Sequence, residues 1–212
     1  RNISISKLRF VKQRVFKTML EIQKVYDRTP FARQWLNSAR KQQEASQVFN
    51  AFFSAYIALA VCATQIMGDN DGKTPKSDDE KWEGEAIENA MKIKRQQIAD
   101  FLATDIGTRI KQAIWQREIP EDENFRIIGP ANDVILKQAA INLSSYFTPS
   151  RTSPLTPTEI KNQAVDLATL FRKVRNRLFH GGKMNDPDGS DAELLNKLNP
   201  LLIEVVEILQ QH

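Results

Sequence analysis

Residues 157–183 read P-T-E-I-K-N-Q-A-V-D-L-A-T-L-F-R-K-V-R-N-R-L-F-H-G-G-K. Placed on a helical wheel at about 100° per residue, Ala164, Leu167, Phe171, Val174 and Leu178 fall on one side, which predicts a core-facing stripe. Thr156 and Pro157 supply start signals, and Gly181-Gly182 supplies a stop. The stretch is therefore expected to be an amphipathic helix ending near His180. Its opposite side carries Arg172, Lys173, Asn176 and His180.

The same periodicity recurs on both sides of this segment. Leu8, Val11, Val15, Met19 and Ile22 step by three and four, predicting a helix over Lys7 to Tyr26 with Ser6 as a possible cap. Thr29-Pro30 restarts the chain, and a long helical stretch follows toward Met67 with a break between Ser38 and Ser46. Gly68 to Gly84 is rich in Asp, Gly and polar residues and is expected to be a mobile acidic loop. Glu85 to Glu118 reads as one helix weakened at Gly107, with Ile87, Met91, Ile98, Leu102, Ile106, Ile110 and Ile114 on a shared face. A loop over Pro120–Pro130 and a shorter helix over Asp133–Phe147 come next. Thr148 to Thr158 is a proline-rich connector. The last helix starts near Asp191 and is expected to kink or restart at Pro200. Nothing alternates with period two, so the chain is expected to be an all-α helical bundle forming one domain over residues 1–212.

Composition agrees with a packed protein. In the 212 residues, 41% are hydrophobic and 26% charged, which excludes a disordered chain. The apolar run Ala51 to Ala63 is shorter than the roughly 20 residues a bilayer span needs, so it reads as a core helix and not a membrane anchor. Cys62, the one cysteine, lies in that run. A lone thiol excludes an internal disulfide and suits a reduced, cytoplasmic setting. No signal peptide is read, and the start at Arg1 is compatible with a longer parent chain.

The net charge is only +4, but it is unevenly spread. Arg1, Lys7, Arg9, Lys12, Arg14, Lys17, Lys24, Arg28, Arg33, Arg40 and Lys41 face only Glu21 and Asp27 in the first 43 residues. Such clusters are the footprint of a polyanion binder, although a solvated helix face gives the same pattern.

His180 is the single histidine before the terminal His212, and imidazole titrates near neutral pH. Arg175 lies five residues upstream, but roughly 140° away around an ideal helix. Asn176 is four residues from His180 and on its side. A histidine before Gly-Gly also serves as a dipole-favoured cap, and an arginine beside an apolar stripe can snorkel.

The string Arg175-Asn176-x-x-x-His180-Gly181, late in an all-α chain and followed by one more helix, resembles the R-x4–6-H signature of HEPN domains. Phe49 to Leu59 is similar to the long early helix of such domains. The resemblance implies a HEPN-like helical bundle acting as a metal-independent endoribonuclease of toxin or phage-defence character. It implies that Arg175 holds the scissile phosphate, His180 is the acid–base group and Asn176 orients. Arg172, Lys173, Arg177 and Lys183, with Lys12, Arg14 and Lys17 of the basic helix, are the expected RNA contacts. No cofactor and no metal are expected. The expected partners are RNA, a second copy in a homodimer that pairs the two motif helices, and an antitoxin or regulatory protein. Arg175 and His180 are expected to be exposed, each replaceable at a cost within about 1–2 kcal/mol. The alternative is a non-catalytic helical module of the same fold that binds RNA, a nucleotide or a protein.

Overall fold

A computed structural model describes residues 29–71, 80–115, 138–139, 142–143, 145–146, 153–179 and 190–211 of the chain. The described elements are helices α1 (Thr29–Glu44), α2 (Val48–Asp71), α3 (Glu80–Ile93), α4 (Arg95–Ala103), α5 (Asp105–Trp115), α6 (Pro157–Phe179) and α7 (Ser190–Gln210). No strand occurs among the described residues, and the protein is all-α. The expectations for the basic helix over Lys7–Tyr26, with Lys12, Arg14 and Lys17, lie outside the described residues. So do those for His180 and Lys183, for the Pro120–Pro130 loop, and for the side chain of Arg177.

Helix α2 is the hub. It packs against α1, α3 and α7, while α6 closes the other side of α3 and also meets α4. Phe52, Ala55, Tyr56, Ala58, Leu59 and Ala63 of α2 are buried, as the Ala51–Ala63 run predicts. Val48–Gly68 is long and apolar enough to cross a membrane, but two-thirds of it is already covered by its own fold. Cys62 sits within this packing, and burial pushes its thiol up to about 12.

The expected break before α2 falls at residues 45–47. Ser46 takes φ 58°, with Gln47 N donating to Gln42 O at 2.8 Å and Ser46 N to Gln43 O at 3.0 Å. This is a Schellman stop, normally built on glycine because a left-handed residue with a Cβ is strained. The turn folds α2 back along α1. Asn199 of α7 then locks the corner, donating to Gln43 Oε1 at 2.7 Å and to Val48 O at 2.9 Å.

Three expectations change. The acidic loop is shorter than Gly68–Gly84: α2 runs on to Asp71, and α3 already begins at Glu80. An acidic first turn complements the positive end of the helix dipole, so Glu80–Gly84 reads as a helix start rather than a loop. Where one helix is expected over Glu85–Glu118, the described residues up to Trp115 form three, α3, α4 and α5. Thr104 leaves the helical region at ψ 165°, and its Oγ1 accepts a hydrogen bond from Gly107 N at 3.1 Å, capping α5. A Cβ on Gly107 would overlap the backbone of Phe101 and Leu102, so glycine here permits the close corner between α4 and α5. Ile106 consequently leaves the shared apolar face and is 54% exposed. Finally, of the kink or restart expected at Pro200, the restart does not occur: α7 runs as one helix through Pro200, with Leu198, Leu201, Leu202, Val205 and Val206 buried around it.

Candidate functional site

Helix α6 begins with a capping box. Glu159 N donates to Thr156 Oγ1 at 3.3 Å, while Glu159 Oε2 accepts from Thr156 N at 2.8 Å. From that start Ala164, Leu167, Phe171, Val174 and Leu178 all reach the core, as the wheel predicts. The helix therefore fixes which way its polar residues face near its end at Phe179.

Arg175 is not at the surface. It is 9% exposed, and its guanidinium is enclosed by three elements. Nη2 lies 3.2 Å from Glu83 Oε2 of α3, and Nη1 donates to Asn176 Oδ1 at 2.7 Å. The guanidinium carbon stands 5.6 Å from the centre of the Tyr56 ring of α2, within cation–π range. Tyr56 Oη donates to the other oxygen of Glu83 at 2.8 Å, so both carboxylate oxygens are engaged. Burial, then the Glu83 charge, holds the Tyr56 phenol well above its usual pKa, against the opposing pull of Arg175. The phenol is therefore a neutral donor at any physiological pH.

The expectation of an exposed Arg175 is thus corrected. Its position at the edge of the apolar stripe turns it toward α3, where Glu83 supplies the counter-charge that makes burial tolerable. The guanidinium that the HEPN resemblance assigns to a phosphate is here held by a carboxylate. Asn176 is partly buried beside it, with its carbonyl oxygen committed to Arg175.

Arg172 lies one turn earlier and is partly exposed. Its side chain runs across α3 at Gly84: a Cβ there would overlap Nη1 and come within 3.2 Å of Cδ. Lys173 is partly exposed beside it. The structure thus gathers Tyr56, Glu83, Gly84, Arg172, Arg175 and Asn176 at the junction of α2, α3 and α6. Tyr56, Glu83 and Gly84 were not legible as site residues, because residues 83 and 84 read as loop. The spacing Glu83, Ala86, Ile87, Ala90, Met91 is the signal that extends the helix backward to include them.

Among the described residues no group of three or more His, Cys, Asp or Glu side chains could hold a metal ion. Compared with known proteins, the chain matches no family model, no curated sequence and no solved structure.

Proposed function

We propose that this chain is a HEPN-like, single-domain endoribonuclease that cleaves RNA without a metal. The observation that carries the reading is the Arg175–Asn176 pair, fixed by cross-helix contacts near the end of α6 and followed by His180 in the sequence. His180 removes the ribose 2′-OH proton. The 2′-oxygen then bonds to the adjacent phosphorus, the bond to the 5′-oxygen breaks, and a proton returns to that leaving oxygen. The products are a 2′,3′-cyclic phosphate and a 5′-hydroxyl. Positive charge near the phosphate stabilises the pentavalent transition state. In the conformation described, Arg175 serves this reaction by orienting Asn176 and the end of α6.

The same reading places the protein in the cytoplasm as a toxin or phage-defence effector, with RNA as substrate and an antitoxin or regulator as partner. It also pairs the motif helices of two copies as a homodimer, a two-fold arrangement that would bring two His180 residues to one cleft. Size-exclusion chromatography with light scattering tests that point: a dimer is expected, and a monomer at micromolar concentration contradicts it.

One observation favours a second reading. The Arg175 guanidinium is shared among Glu83, Asn176 and Tyr56, as in an arginine that holds a fold together. A non-catalytic helical module that binds RNA, a nucleotide or a protein would need no more. Incubating the purified chain with single-stranded RNA in EDTA separates the two. The nuclease reading predicts cleavage that survives chelation; intact RNA favours the binding module.

A further inference from the structure

Among the described residues, the junction holds two guanidinium groups, Arg172 and Arg175, against one carboxylate, Glu83. Arg175 takes that carboxylate. Arg172 makes no hydrogen bond or ion pair among the described residues, although it is close enough to Tyr56 for its charge to act on the phenol. A partly buried guanidinium with no acidic partner among the described residues is a place where an anion lowers the energy. Glycine at 84 is what makes room for it, since a helix interior otherwise disfavours glycine. The helix sets its outlook. Arg172 and Asn176 are four residues apart and share one side of α6, the side that His180 continues in the sequence, whereas Arg175 is turned inward.

The geometry points to Arg172, seated over Gly84, as the residue that contacts an RNA phosphate, with the Arg175–Glu83–Tyr56 cluster as the rigid floor beneath it. From Arg172 to Phe179 the helix rises about 10 Å, so this phosphate flanks the one at the end of α6 and is not the scissile one. Arg172 is thus a substrate-binding residue whose loss weakens RNA binding more than it slows chemistry. This rests on the reading of the chain as an RNA-cleaving domain.

The test uses the full chain and a fluorescently labelled single-stranded RNA oligonucleotide, with affinity measured by anisotropy across a salt series. Gly84→Ala removes the seat while keeping the charge, because a methyl group there displaces only the far end of the Arg172 side chain. It also raises helix propensity, so its melting temperature is expected to match or exceed wild type. Arg172→Ala removes the charge, Arg172→Lys keeps charge without the fork, and Lys161→Ala on exposed α6 is the control. Gly84→Ala and Arg172→Ala are both expected to weaken binding by about tenfold or more, the worth of one charge-assisted hydrogen bond. Arg172→Ala should also flatten the salt slope by about 0.7, the value for one phosphate on a single strand. A purely structural Arg172 would lower melting temperature and leave that slope unchanged. If wild type binds RNA and both variants bind within about twofold of it, the assignment of Arg172 is wrong while the RNA reading stands. If wild type binds no RNA, both fall together.

Discussion

Replacing Arg175 with methionine should cost far more than the sequence alone suggests. The side chains of Arg175 and Glu83 are 11% and 14% exposed, so water can do little to screen either charge. Methionine keeps much of the apolar stem but leaves the Glu83 carboxylate to the Tyr56 hydroxyl, which donates to it at 2.8 Å. The charged hydrogen bond that disappears is worth about 1.5–3 kcal/mol, and the desolvated cation–π interaction with Tyr56 about 2 kcal/mol. Breaking one side of a buried ion pair typically costs about 3–5 kcal/mol, and the hydrogen bond from Tyr56 puts this pair at the lower end. We therefore expect about 3 kcal/mol, or a fall in melting temperature of roughly 6–12 °C for a chain of this size. Glu83→Gln should be milder, because the amide oxygen can still accept from the guanidinium. The double variant Glu83→Gln/Arg175→Met removes both charges and should be more stable than the sum of the single losses. Urea denaturation of the four proteins at neutral pH measures this cycle. A loss below about 1 kcal/mol for Arg175→Met, or strictly additive losses, would refute the buried, coupled pair.

Three further outcomes follow from local geometry. Gly107→Ala should destabilise by about 1–2 kcal/mol, because overlap with the Phe101 and Leu102 backbone outweighs the gain in helix propensity; a more stable variant in urea denaturation would contradict the close corner. Ser46→Gly should stabilise by about 0.5–1 kcal/mol by relieving the left-handed residue of the α1 stop, and an unchanged melting temperature would show that Ser46 carries no such strain. Burial, opposed by a hydrogen bond to Asn142, raises the Asp166 carboxyl above its usual range. The folded state then holds this proton more tightly than the unfolded chain, so the contribution is present at low pH and is lost as pH rises through the raised value. The melting temperature of Asp166→Asn relative to wild type should therefore climb as pH rises through and above the usual carboxylate range, and a falling difference would contradict burial as the cause.

The helices were legible wherever one apolar stripe met one clear stop. The α6 stripe and its Thr156 cap, the α2 core run, and the break ahead of α2 can all be read from spacing. What spacing hides is the competition between a helix start and a polar loop. Glu80–Gly84 carries acids and a glycine, which suit a loop as well as a first helical turn, so Glu83 could not be matched to Arg175. Gly107 posed a related difficulty. A glycine inside a periodic apolar pattern signals weakness, but only the approach of α4 shows that it marks a corner. The inward turn of Arg175 was half visible, since the wheel set it beside the stripe and away from Asn176 and His180. Its partner lay 92 positions away in the chain, beyond any local pattern.

In the proposed reaction, His180 drives metal-independent attack of a ribose 2′-oxygen on its own phosphate. The most direct measurement is the end chemistry of RNA incubated in EDTA with wild-type protein and with His180→Ala. The wild type is expected to leave 2′,3′-cyclic phosphate and 5′-hydroxyl ends, and His180→Ala to leave the RNA intact. Cleavage by His180→Ala at the wild-type rate, 5′-phosphate products, or activity that stops on chelation would contradict it.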